Sequence, residues 1–174
     1  HRDMEIITYV LDGELAHKDS MGNGSVIRPG DVQCMSAGKG IMHSEFNHAE
    51  GKQTHLLQIW IEPNVKGISP GYEEKHFSAE EKRGKLCLIA SPEGTAGSVM
   101  IHQNANVYVG HFDGDEQASM VIAPGRRVYA HVARGEININ GVALKAGDAL
   151  KVVDEAKIEF SGGRKAEVLL FDLQ

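Results

Sequence analysis

His43-Ser44-Glu45 sets an imidazole and a carboxylate two residues apart, the spacing at which an extended strand turns both side chains to one face. A second imidazole, His1, heads another strand-like run, in which Arg2 is directed the other way. Two imidazoles and one carboxylate gathered on one side of an ion form the donor set that suits ferrous iron and leaves positions open for dioxygen or substrate. Imidazole also suits copper, nickel and zinc, so donor types alone name no metal. Coordination requires neutral imidazoles, so binding is expected to weaken as pH falls through about 6.5. Gly38 and Gly40 allow the backbone a sharp turn ahead of His43. The competing reading makes His43 and Glu45 surface residues of a polar strand.

The elements that must position these groups are strands. Short apolar runs alternate with turn chemistry, glycine is abundant at 20 residues, and helix signals are scarce, which points to an all-β sandwich or barrel. Asn140-Gly141 is a hairpin signal because both residues tolerate positive φ. Arg28-Pro29-Gly30-Asp31 and Lys145-Ala146-Gly147-Asp148 are tight turns entering strands. Ser78 and Glu81 can cap one short helix that ends at Gly84.

An internal repeat organises the chain. Gly13-Glu14, Arg28-Pro29-Gly30-Asp31 and Leu56-Leu57-Gln58-Ile59-Trp60 recur in the same order as Gly135-Glu136, Lys145-Ala146-Gly147-Asp148 and Val168-Leu169-Leu170-Phe171. Two copies of one β-barrel are expected, residues 1–66 and 98–174, joined by a connection over 67–97. Where the first half has His43-Ser44-Glu45, the second has Lys151-Val152-Val153-Asp154-Glu155-Ala156 and no histidine. A metal site is therefore expected in the first barrel alone.

A net charge of −6 with no basic cluster excludes nucleic acid and anionic membrane surfaces as natural partners. No apolar run approaches the roughly 20 residues that span a bilayer. Cys34 and Cys87 stand far apart in no metal-binding spacing, as expected of reduced thiols in a cytoplasmic protein. The chain opens on His1 directly into a strand-like run, from which we expect sequence upstream of it. His48, His55, His76, His102, His111 and His131 have no partner spacing and are taken as structural or exposed.

The residues His1-Arg2-Asp3-Met4-Glu5 through Gly13, Ala16-His17-Lys18-Asp19-Ser20, Met35 through Glu45, Gln58-Ile59-Trp60-Ile61 and the ending Leu169-Leu170-Phe171-Asp172-Leu173 resemble the pirin family along essentially the whole chain. The resemblance is nearest to bacterial pirin-like quercetin 2,3-dioxygenases. It implies a bicupin, two tandem cupin β-barrels of the double-stranded β-helix or jelly-roll type. It also implies one divalent transition metal ion, iron first, with copper, nickel, manganese and zinc as alternatives. Of the family's four ligands, three fall on His1, His43 and Glu45; the other would lie two positions before His1. Glu45 is the implied catalytic base. Glu5 is assigned to the pocket wall or to a partner of the ligands, and His17 to the pocket rim or to a loop hydrogen bond. The implied reaction is cleavage of a flavonol such as quercetin by dioxygen. The alternative is a non-enzymatic metal-dependent regulator or redox sensor with a protein partner.

Overall fold

The computed structural model describes residues 1–174, and its regular secondary structure is nearly all strand. In chain order these are β1 (Asp3–Asp12), β2 (Leu15–Asp19), β3 (Gly24–Ile27), β4 (Asp31–Gly38), β5 (His43–Asn47), β6 (His55–Ile61) and β7 (Gly71–His76). The one α-helix, α1 (Ala79–Lys82), follows. Then come β8 (Cys87–Ser91), β9 (Val99–Met100), β10 (Ala105–Phe112), β11 (Ala118–Val121), β12 (Arg127–Ile139), β13 (Val142–Lys145), β14 (Ala149–Val152) and β15 (Lys157–Leu173). The chain forms two compact units, His1–Phe77 with Ser91–Gln103, and Ser78–Ala90 with Asn104–Gln174.

The two basic-x-Gly-Asp segments close as the same turn. Asp31 N–H donates to Arg28 O and Arg28 N–H to Asp31 Oδ2, both at 2.9 Å, with Gly30 at φ 97°. Asp148 N–H donates to Lys145 O at 2.9 Å and Lys145 N–H to Asp148 Oδ2 at 3.0 Å, with Gly147 at φ 92°. Asn140 (φ 48°) and Gly141 (φ 75°) make the tight hairpin between β12 and β13. Ser78 and Glu81 form a reciprocal capping box on α1.

In the first unit a four-stranded sheet, ordered β6-β1-β4-β7, and a three-stranded sheet, ordered β3-β2-β5, supply the walls. Val10, Leu15 and Ile27, packed with Leu56, draw one cluster from both sheets. Met4, Ile6, Met35, Ala37 and Ile41 form a second cluster. The second unit has β13-β12-β15-β10-β8 in order, with β11 on β15 and β14 on β12. Its core is continuous and apolar, and Phe112 and Phe160 stack within it at 5.5 Å.

The segment expected as a connection, 67–97, instead contributes to sheets. β7 is an edge strand of the first unit and β8 pairs with β10 in the second. Glu73 and Lys75 of this edge strand pair at 2.9 Å and bond the 98–100 segment, Lys75 Nζ donating to Ser98 O and Glu73 accepting from Met100 N–H. Arg127–Ile139 form the single long strand β12. Its register against β15 shifts around Gly135, whose positive φ of 69° lets the backbone approach the Lys165 carbonyl.

Candidate metal centre

The strand registers of the first unit build a polar layer between its two apolar clusters. On the larger sheet Thr8 of β1 lies between Gln33 of β4 and Gln58 of β6. On the smaller sheet His17 of β2 is directly opposite Glu45 of β5, and Asp19 opposite His43. Alternation then turns His17 with Asp19, and His43 with Glu45, to the same face. The Gln58 Nε2 group of one sheet donates to Glu45 Oε2 of the other at 2.9 Å.

Three donor atoms meet here without hydrogen-bond partners: His17 Nδ1, His43 Nδ1 and Glu45 Oε1, all buried. Ligand atoms of these three residues lie within 4.8 Å of one another. His43 Nδ1 is 3.5 Å and His17 Nδ1 3.8 Å from Glu45 Oε1, longer than hydrogen bonds. One unsatisfied buried polar atom costs about 1–3 kcal/mol. Three facing one another are instead the donor set of a cation: bonds of about 2.0–2.2 Å to a common ion hold ligands about 3–4 Å apart. The residues present therefore fit a divalent transition metal.

The other nitrogen of His17 explains its aim. Asp19 Oδ2 lies 3.1 Å from His17 Nε2, and Asp19 also accepts from Met21 N–H, Asn23 N–H and Asn23 Nδ2 at 2.9–3.1 Å. Burial works to raise the Asp19 carboxyl, but the hydrogen bonds from Asn23, His17 and Met21 outweigh it and hold it below the usual range. An ionised Asp19 only accepts, so His17 Nε2 carries the proton and Nδ1 presents its lone pair to the cluster.

Aromatic rings border the layer. His1 lies against His43 with ring centroids 4.9 Å apart, and against Trp60 at 4.6 Å, edge to face. Tyr72 tilts onto His17 at 5.3 Å. Its hydroxyl meets Ser25 Oγ at 2.6 Å and donates to Glu74 Oε2 at 2.7 Å. Burial, with the Glu74 carboxylate beside it, pushes the Tyr72 phenol up to about 12. A cleft of about 330 Å3, lined by His1, Arg2, Ser20, Lys39, Gly40, Ile41 and Met42, opens beside the cluster.

The converging group is thus His17, His43 and Glu45, with His1 one ring away. His17 is in the cluster itself, not on its rim. Glu5 is a correction: it is fully buried but faces away from the polar layer, accepting from Ser36 Oγ at 2.9 Å and lying 3.3 Å from His102 Nδ1. Asp19, Gln58 and Tyr72 were missed. The i, i+2 spacing of His17 with Asp19, and of Gln58 with Trp60, was the available signal.

The Pirin family pattern matches residues 1–61, and the pattern of the quercetinase C-terminal cupin domain matches 88–173. The quercetin 2,3-dioxygenase of Escherichia coli K12 is 45% identical over 173 residues, 99% of this chain and 74% of that protein. The chain belongs to the pirin family. A pirin-like protein of Caulobacter vibrioides is 39% identical over 99% of this pirin and 74% of its own length. The crystal structure of the bacterial pirin YhhW from Escherichia coli in complex with nickel(II) superposes with a TM-score of 0.92. It is 43% identical, covering 99% of this chain and 73% of that one. This pirin accordingly has a cupin fold, nearly all β, and no helix in it is long and apolar enough to cross a membrane.

Proposed function

We propose that this pirin is a metal-dependent dioxygenase that cleaves flavonols such as quercetin, with its metal in the first of two tandem cupin barrels. The observation that carries the reading is the meeting of three unpartnered buried donors, His17 Nδ1, His43 Nδ1 and Glu45 Oε1. These residues hold the ion, and His1 beside His43 completes the set. Two or more imidazoles with one carboxylate suit iron(II), and the same donors accept nickel(II), the ion in the YhhW complex.

The bound ion supplies Lewis acidity toward the hydroxyl and carbonyl oxygens of the substrate. The remaining work belongs to side chains. Glu45 is the one carboxylate of the converging group and takes the flavonol hydroxyl proton as general base. Asp19, saturated by its four hydrogen bonds, keeps His17 in its tautomer and takes no proton. Trp60 and Tyr72 flank the layer and supply apolar faces for an aromatic substrate. The apolar clusters around Val10 and Ile6 border the layer on either side.

Oxygen uptake and flavonol bleaching by the protein loaded in turn with iron, nickel, copper or manganese test the proposal. Turnover with at least one ion, lost to background in His43→Ala, is expected. Unchanged turnover in that variant contradicts it.

A further inference from the structure

One oxygen of Glu45 faces the two imidazoles; the other is engaged by a chain of hydrogen bonds leading away from the site. Trp60 Nε1–H donates to Gln58 Oε1 at 3.0 Å, and Gln58 Nε2 donates to Glu45 Oε2 at 2.9 Å. The polarity of this chain is forced. An indole nitrogen can only donate and a carboxylate only accept, so the amide between them must turn its oxygen to Trp60 and its nitrogen to Glu45. Reversing the amide would place two donors together at one end and two acceptors at the other.

The backbone preassembles the chain. Gln58 and Trp60 stand two apart on β6 and so share a face, and β6 is held against β1 with Gln58 opposite Thr8 and Trp60 opposite Ile6. Trp60 has a second contact, its ring meeting His1 edge to face at 4.6 Å. One indole therefore touches the ring beside His43 and, through Gln58, governs the carboxylate two residues beyond it.

We propose that Trp60 and Gln58 are positioning residues that make Glu45 a one-oxygen ligand, holding Oε2 off the ion so that Oε1 alone is presented to it. This rests on reading His17, His43 and Glu45 as the metal site. The Gln58 hydrogen bond competes with the ion for Oε2, which favours one-oxygen ligation and leaves a coordination position open for a substrate oxygen. The chain acts in one direction: Trp60 influences Glu45 only through the amide of Gln58.

That directionality gives a double-mutant cycle, read as nickel(II) affinity by calorimetry. Trp60→Phe keeps the ring and removes only the N–H; Gln58→Met keeps the length and removes the amide. Loss of such outer partners lowers metal affinity about 10–100-fold. Gln58→Met is expected within that range, Trp60→Phe at its lower end, and the double variant equal to Gln58→Met alone. Parent affinity in Trp60→Phe, or losses that multiply in the double variant, overturns the relay.

Glu45→Ala separates this outcome from failure of the site itself. Nickel binding lost in Glu45→Ala but untouched in Gln58→Met overturns the relay alone, whereas parent binding in Glu45→Ala overturns both. A metal-free readout is also available, because Trp60 is the one tryptophan and gives a single indole N–H resonance. Gln58→Met is expected to move that resonance upfield and speed its exchange with solvent; an unmoved resonance overturns the hydrogen bond on which the chain depends.

Discussion

The two units share a turn and differ in what their strands enclose. Arg28–Asp31 and Lys145–Asp148 close through the same pair of hydrogen bonds about a glycine of positive φ. Apart from that turn the units differ: the first unit buries Thr8, Gln33, His17 and the inner atoms of His43 and Glu45, while the second buries Val128, Ala130, Val132, Ile137, Ile158 and the Phe112–Phe160 stack. The second unit has its own histidine–glutamate pair, but a closed one. Glu167 lies 3.1 Å from His111 Nε2 and 3.9 Å from Arg134 Nε. Glu45 Oε1, by contrast, faces two imidazoles with no hydrogen bond to either. The second unit thus has a packed core, while the first gives up apolar filling for unsatisfied donors. The turn governs where strands begin; the inward residues govern whether the interior is filled with apolar side chains or with unpaired donors.

The largest test of this contrast is Phe160→Ala. Emptying a stacked, fully buried ring is expected to cost about 3–5 kcal/mol in denaturant unfolding. A loss under about 1 kcal/mol would mean that the second interior is not the close-packed one described.

Acid sharpens the contrast between the two histidine–glutamate pairs. Burial acts to raise the Glu167 carboxyl, but the His111 hydrogen bond and the charges of His111, Arg134 and Lys82 outweigh it and hold it below the ordinary value. A depressed folded pKa gives stability that is present above the unfolded value, about 4.3, and is lost as pH falls through the lower folded one. Unfolding midpoints followed from pH 6 to 3 should therefore drop less steeply in Glu167→Gln than in the parent. Parallel curves would remove Glu167 as a contributor.

The smallest effect is expected from Thr8→Val. The Thr8 hydroxyl is buried in the polar layer with no hydrogen-bond partner, so replacing it by a methyl group removes an unsatisfied group at nearly constant shape. Stability should stay within about 1 kcal/mol of the parent or rise. A larger loss would show that the hydroxyl is satisfied within the folded chain.

Local chemistry was legible in the sequence. The Ser78–Glu81 cap, the Asn140-Gly141 hairpin and both Gly-Asp turns involve residues within four positions of one another, where composition dictates conformation. The common face of His43 and Glu45 follows from strand periodicity alone. What spacing could not supply was register. His17 joins Glu45 because β2 pairs with β5 in one alignment, and a shift of one residue would send it outward. Glu5 misled because the resemblance places it by motif position, whereas strand alternation turns it to the face of β1 opposite that of Thr8. β7 escaped because an edge strand keeps its charges and so looks like a linker.

The most direct test of the account is an anomalous-scattering map of the nickel(II)-loaded protein, with elemental analysis of the same sample. The account predicts one ion per chain, bound by His17, His43 and Glu45 with His1 completing the set and Glu45 contributing a single oxygen. A stoichiometric protein with its peak in the second unit, or a first-unit peak out of reach of Glu45, would contradict it.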